Sequence, residues 1–163
     1  MENNSIFLTI KAAIVAITVF LGSEMGWLGK VIFVWVLCMA IDWLSGSAAA
    51  AAHGQWSSAT ARAGIWHKIG MVLVVAVAGM TDFILGVAVE HIPGLGVQYS
   101  VLVLPVILVW YIFTELGSIA ENATEMGAPV PSWITKMLAA GKKMAENQID
   151  VPDDTDTAGD NKK

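Results

Sequence analysis

Three acidic residues interrupt stretches of sequence that are otherwise apolar enough to enter a membrane. Asp42 lies in VIFVWVLCMAIDWLSG, Asp82 lies in GMVLVVAVAGMTDFILG, and Glu115 directly follows VLVLPVILVWYIFT. A carboxylate at bilayer depth costs about 2.5–3.5 kcal/mol on insertion scales, and such residues are usually functional. The chemistry open to them is proton or cation binding, hydrogen bonding between helices, or contact with water in a lumen.

Each acid shares its predicted helix face with small or polar residues, because residues three and four positions apart lie on one side of a helix. Small residues let two helix backbones approach closely, and polar residues hydrogen-bond across the contact. The three polar stripes defined in this way contain Ser45 and Gly46 beside Asp42, Gly79 and Gly86 beside Asp82, and Tyr111, Ser118 and Asn122 beside Glu115. Each stripe is better suited to helix contact or water than to lipid.

Two interpretations of the polar stripes are open. In the first, the acids hydrogen-bond inside the folded bundle, with Lys11, Arg62 or Lys68 as cationic partners. In the second, the stripes face one another between subunits or face water in a lumen. A subunit of three or four spans has little interior, so we expect some of the stripes to meet a second subunit or water.

The same residues do not form a recognisable catalytic site. Acids and histidines are present, but no nucleophile stands beside them in a known motif, and the glycines of GSEMGWLG do not follow a strand. The single Cys38 excludes an intramolecular disulfide, and no cluster of Cys and His has the spacing of a zinc site. We therefore expect no enzyme activity, no cofactor and no metal. No basic patch indicates nucleic-acid binding.

The elements that carry these residues are predicted transmembrane helices. Of the 163 residues, 56% are hydrophobic and 14% are charged, and the mean hydropathy is +0.64, whereas soluble domains carry about 25% charged residues. A helical span needs about 20 apolar residues. Three segments qualify, at residues 27–51, 65–89 and 97–120, while residues 6–21 form either a short fourth span, which we favour, or an interfacial helix. The expected fold is all-α and polytopic, with residues 1–125 as the membrane region.

Basic residues in short loops predict which side of the membrane each loop faces. Arg62 and Lys68 lie in HGQWSSATARAGIWHK, between the first two of the three long segments, whereas EHIPGLGVQ contains neither Lys nor Arg. The first loop is therefore predicted to be cytoplasmic and the second to be external. The C-terminus then returns to the cytoplasm.

The C-terminal region is predicted to contain an amphipathic helix and an acidic tail. Trp133 belongs to an apolar set at helical spacing, and Lys136, Lys142 and Lys143 lie on or beside the opposite face. Over residues 126–148 this pattern predicts a cytoplasmic helix that rests on the inner leaflet. The alternative is a short helix packed on a neighbouring subunit. Residues 149–163 are acidic and poor in apolar groups, which is typical of a disordered tail.

Two stretches of the sequence resemble the phage holins of the toxin-secretion and phage-lysis family. The first combines an Asp-x-x-x-Gly span end, a polar loop with basic residues, and a second span that contains Asp. The second combines an aromatic run, a Glu, Ser-Ile-x-Glu-Asn, Gly-x-Pro-x-Pro and an amphipathic helix. The matching residues are Asp42, Gly46, Gly64, Ile65, Lys68 and Asp82 in the first stretch, and Tyr111, Glu115, Ser118, Ile119, Glu121, Asn122, Gly127, Pro129 and Pro131 in the second. The resemblance covers approximately residues 35–145.

This resemblance implies a non-enzymatic lysis protein of the host bacterial cytoplasmic membrane. Holins accumulate there and then assemble into homo-oligomeric lesions that collapse the proton-motive force and let the endolysin reach the cell wall. Related bacterial proteins are associated with toxin export. The implied partners are further copies of the chain, membrane lipids and the endolysin, the last without a need for direct contact. The competing hypotheses are a small ion-coupled transporter or channel that uses Asp42, Asp82 or Glu115, and a membrane-anchored scaffold.

Overall fold

The computed structural model of the protein describes residues 26–92 and 99–149, together with the single positions Leu8, Lys11, Ala12, Val15 and Val19. Within the two ranges the secondary structure is helical, and no strand occurs in them. The question of a fourth span over residues 6–21 falls outside the described ranges, as do the acidic tail beyond Ile149 and the loop around Gly94.

Three helices in the described part of the chain are long and apolar enough to cross a membrane. They are α1 (Gly26–Ala52), α2 (Ser58–His91) and α3 (Val103–Glu125). At about 1.5 Å of rise per residue they measure roughly 40, 51 and 35 Å, against a hydrocarbon core about 30 Å thick. The predicted all-α, polytopic fold class is thereby confirmed.

The ends of these helices differ from the predicted segments for local reasons. α2 begins directly after Ser57, whose hydroxyl accepts a hydrogen bond from Thr60 N at 3.1 Å and so caps the helix. Arg62, expected in a loop, consequently lies on α2 itself. α3 begins at Val103 rather than near residue 97, and Pro105 stands in its first turn, where a helix tolerates proline.

The central helix of the bundle is α3, which contacts both other candidate spans as well as the helix that follows it. Trp35 of α1 stacks on Tyr111 of α3, with ring centroids 6.1 Å apart and an interplanar angle of 26°. The buried apolar cluster between α1, α2 and α3 consists of Trp35, Met39, Met71, Ala78, Leu104 and Leu108. Burial of these side chains holds the three helices together.

A fourth helix, α4 (Ser132–Glu146), follows a reversal of the chain and is continued by one 3₁₀ turn (Asn147–Ile149). The reversal includes Gly127, whose φ of 90° lies in the left-handed region that favours glycine. Pro131 occupies the position before the first residue of α4, in an extended conformation. The amphipathic pattern over residues 126–148 thus corresponds to a shorter helix than the full predicted range.

α4 runs antiparallel to α3 and lies directly against it. An added Cβ at Gly141 would be 2.4 Å from Phe113 Cζ, so glycine permits the close approach. Trp110 Nε1 donates to Glu146 Oε1 at 2.8 Å, and Lys142 Nζ lies 4.3 Å from the centroid of the Trp110 ring. α4 therefore packs on α3 of its own chain, and Lys142 faces that helix. A position of α4 on the inner leaflet stays a prediction.

Candidate functional site

One group of charged residues joins all three candidate spans. Lys68 of α2 donates to Asp42 Oδ2 of α1 at 2.7 Å and also to Glu115 Oε2 of α3. Glu115 is only 2% exposed, and the side chains of Lys68 and Asp42 are 16% and 17% exposed. Charges so far removed from water are tolerated when they are paired and hydrogen-bonded. This charge cluster (Asp42, Lys68 and Glu115) therefore ties α1, α2 and α3 together.

Amide and hydroxyl groups complete the hydrogen bonding of the charge cluster. Asn122 Nδ2 donates to Asp42 Oδ1 at 3.2 Å and to Ser45 Oγ at 2.9 Å, while Ser45 Oγ donates to the Asp42 carbonyl at 3.1 Å. Gly46 lies beside the same amide, since an added Cβ there would be 3.4 Å from Asn122 Nδ2. Residues of the Asp42 and Glu115 stripes thus meet one another within a single subunit.

A cleft of about 520 Å³ opens beside the charge cluster. Its lining includes Asp42, Lys68, His67 and Glu121, so the cleft offers polar groups to whatever enters it. The volume is sufficient for several water molecules, each of which occupies about 30 Å³ in the liquid. Among the described residues, no group of three or more His, Cys, Asp or Glu side chains could hold a metal ion.

Asp82 of α2 has a different role, at the beginning of α3. Its Oδ1 accepts hydrogen bonds from Val103 N at 2.9 Å and Leu102 N at 3.2 Å, and its Oδ2 accepts from Leu104 N at 2.7 Å. Leu102, the residue before α3, provides no side-chain cap. The first amides of a helix lack partners within the helix, and the helix dipole favours negative charge there. Asp82, which is 6% exposed, therefore caps α3 from a neighbouring helix.

Tyr99 completes this α3 cap (Asp82, Tyr99 and the amides of residues 102–104). The Tyr99 hydroxyl donates to Asp82 Oδ1. The hydrogen bond raises the pKa of Tyr99 above its ordinary value, and burial and the negative charge of Asp82 act in the same direction. With four donors from its own chain, the carboxylate of Asp82 is hydrogen-bonded without a second subunit.

The remaining residues of the polar stripes take different positions. An added Cβ at Gly79 would be 3.7 Å from Leu104 Cδ2, so Gly79 faces α3, whereas Gly86 has open space around it. Ser118 donates to the Thr114 carbonyl of its own helix at 3.3 Å. The three acids themselves hydrogen-bond inside the bundle, as in the first of the two interpretations. Contact of the stripes with a second subunit or a lumen stays a prediction.

Several residues of these contacts were not identified from the sequence. Lys68 is predicted as a determinant of topology and as one of three candidate partners of the acids, and in the structure its ammonium joins two carboxylates. A lysine just inside a long apolar helix is the signal that indicates such a partner. Tyr99, Trp110 and Glu146 carry no comparable signal, because their contacts depend on how a loop and α4 pack on α3.

Comparison with known proteins identifies the family. A family model described as the bacteriophage holin family matches residues 17–143. An uncharacterised protein of Halalkalibacterium halodurans is 34% identical over 101 residues, which cover 62% of this chain and 70% of that protein. No solved structure matches the chain. The family match includes α1, α2 and α3 with the charge cluster and the α3 cap. Together with the three apolar helices, it supports a multi-pass membrane protein. The chain belongs to the bacteriophage holin family.

Proposed function

We propose that the protein is a phage holin that accumulates in the host cytoplasmic membrane and assembles into homo-oligomeric lesions. The lesions dissipate the proton-motive force and release the endolysin, so that host lysis follows. The observation that carries this proposal is the family match over residues 17–143, which spans every membrane helix described. The protein acts in this account without enzymatic chemistry, and the endolysin needs no direct contact with it.

The internal pairing of the acids supports the accumulation step. Lys68 is bonded to Asp42 and Glu115, and the amides of α3 are bonded to Asp82, so single subunits bury their carboxylates without help from a partner. Between Ile69 and Val87, the exposed side chains of α2 are apolar and suit contact with lipid or with another copy. The most exposed of these in the middle of α2 are Leu73, Val77, Met80, Phe83 and Ile84. Subunits can therefore collect in lipid before they assemble.

The polar stripes supply the helix contacts that we propose to rearrange during assembly. Asp82 and Gly79 already face α3, whereas Gly86 is open to a second copy. Asp82→Asn keeps the shape of the side chain but removes its charge, so the α3 cap weakens while insertion becomes less costly. We expect an altered time of lysis at matched membrane levels of protein. A lysis time and a cross-linked oligomer yield equal to wild type would contradict a role for this face.

Induced expression in bacteria, with and without a signal-less endolysin, tests the proposed function. With endolysin, the culture should clear abruptly after a delay; without it, growth should stop at the same time without clearing. Clearing requires the endolysin to cross the membrane, so the matched culture without endolysin is the control. Gradual slowing of growth with no clearing in either culture would contradict a holin. Saturable ion transport in viable cells would favour the ion-coupled transporter.

A further inference from the structure

α4 lies level with the interior of a candidate span. Phe113, near the middle of α3, packs against Gly141 of α4. Trp110 contacts Lys142 and Glu146 and lies about 10 Å along α3 from its first residue, as given by the helical rise. When α3 crosses the membrane, the docked α4 is therefore at bilayer depth and not at the membrane surface.

The side of α4 that faces away from α3 carries two charged residues at this depth. Lys136 and Lys143 are both exposed, and they lie two helical turns apart on one face. Within the described part of the chain, neither ammonium has an ion-pair partner. Lysines inside a bilayer are costly unless they face a protein interior or a water-filled cavity. The exposed side chains of Trp133, Met137 and Met144 on α4 suit lipid, but the two ammonium groups do not.

The carboxylates of the three acids are already bonded within the subunit. Asp42 and Glu115 are engaged by Lys68, and Asp82 is engaged by the start of α3. The outward-facing residues in the middle of α2, such as Met80 and Phe83, are apolar. The outward polar surfaces of the described residues thus include the cleft beside the charge cluster, which Asp42, Lys68 and Glu121 line, and the lysine face of α4.

We infer that α4, docked on α3 through Gly141, lines the aqueous lumen of the assembled lesion and presents Lys136 and Lys143 to the water. The inference rests on the proposed function, because further copies of the chain complete the lumen. The single subunit already holds α4 against α3. In the lesion, water replaces lipid beside the lysines.

Two collisional quenchers distinguish a lumen from a membrane surface. The full-length chain with Cys38→Ala and Lys143→Cys is labelled with bimane and reconstituted into dye-filled vesicles of phosphatidylethanolamine and phosphatidylglycerol. Iodide quenches a fluorophore in water, and a lipid spin-labelled at its headgroup quenches a fluorophore at the bilayer surface. We expect strong quenching by iodide and several-fold weaker quenching by the spin-labelled lipid. Strong quenching by both would place α4 at the surface and overturn the inference.

Four further chains make the outcome specific. Lys136→Cys repeats the measurement at a second position of the same face, and Met80→Cys on the exposed side of α2 should resist iodide. Gly141→Leu collides with Phe113 and should move the label at position 143 to the surface pattern, whereas Gly70→Leu, which has open space, should not. Identical quenching in the two leucine chains would overturn the docked arrangement on which the inference depends.

Dye release separates the inference from the proposed function. Vesicles that leak while the label at position 143 shows the surface pattern overturn the lumen position of α4 and leave the holin function standing. Vesicles that retain their dye contradict the proposed function and the inference together. Leakage combined with quenching by iodide alone supports both.

Discussion

At the scale of single residues, Lys68 makes the contact on which most of the polar interior depends. Its ammonium is shared by carboxylates from two other helices, and both carboxylates are largely removed from water. A buried carboxylate that loses its cation is costly, whereas the pair as a whole contributes little net stability. The charge cluster therefore mainly selects one arrangement of α1, α2 and α3, and it adds little to the stability of that arrangement.

Lys68→Met should strongly destabilise the detergent-solubilised protein, because it leaves Asp42 and Glu115 buried without a cation. Removing one partner of a buried ion pair costs about 3–5 kcal/mol. Adding Glu115→Gln removes one of the two stranded charges and should recover part of the loss. Thermal melting followed by tryptophan fluorescence measures both effects. Arg62→Met, at an exposed position of α2, is the control, and equal melting temperatures for the two single variants would contradict this role of Lys68.

Tyr99 should titrate at a higher pH than an unperturbed tyrosine, whose pKa is about 10. The hydrogen bond to Asp82 raises the pKa of Tyr99, so the protonated hydroxyl stabilises the fold. This contribution is complete below the ordinary pKa and is lost as the pH rises through the folded-state pKa. In a Tyr111→Phe chain, tyrosinate absorbance reports Tyr99 alone. Asp82→Asn should lower the midpoint, and an unchanged midpoint would show that the contact does not form.

At the scale of elements, the beginning and the outer side of α3 are fixed by different neighbours. Asp82 of α2 caps its first turn, and α4 packs along its outer side through Gly141 and Trp110. α3 thus depends on other helices both for the capping of its first turn and for the burial of its outer side. A rearrangement that moves α2 or α4 away from α3 has to break one of these two contacts.

Gly141→Leu should release α4 from α3, because even a Cβ at this position would meet the Phe113 ring. Hydrogen–deuterium exchange of the amides in residues 132–146 should then accelerate, while the amides at the centre of α3 remain protected. Gly70→Leu adds the same side chain where no atom lies within 4 Å and serves as the control. Equal exchange of α4 in both variants would show that close approach at Gly141 is not what holds it.

The sequence was sufficient to predict the three long helices, because length and apolar composition depend on local residues alone. The sequence offered Lys11, Arg62 and Lys68 as partners of the acids but could not select among them. Asp82 lies in an apolar run. A carboxylate in such a run has the same sequence pattern whether it caps a neighbouring helix, as Asp82 does, or faces a lumen. The place of α4 was also undetermined, since an amphipathic pattern defines an apolar side without specifying whether lipid or α3 covers it.

At the scale of the whole molecule, the bundle keeps Asp82 and Glu115 buried and exposes many large apolar side chains. Lipid suits such a surface, and the positive-inside rule then determines its orientation. We expect a reporter fused after Lys163 to be cytoplasmic before lysis and a reporter inserted near Gly94 to be external. Replacing Arg62 and Lys68 by Gln should give mixed orientations. Reporter activity on the cytoplasmic side for the Gly94 insertion would contradict the predicted topology.

The central claim, that assembly opens lesions large enough for proteins, is tested most directly in single cells. Each cell carries a membrane-potential dye and a cytoplasmic fluorescent protein, and expression of the chain is induced at time zero. We predict a delay with full membrane potential, followed by collapse of the potential and loss of the fluorescent protein in the same interval. Collapse of the potential with the fluorescent protein retained, or a slow decline of the potential proportional to expression, would contradict it.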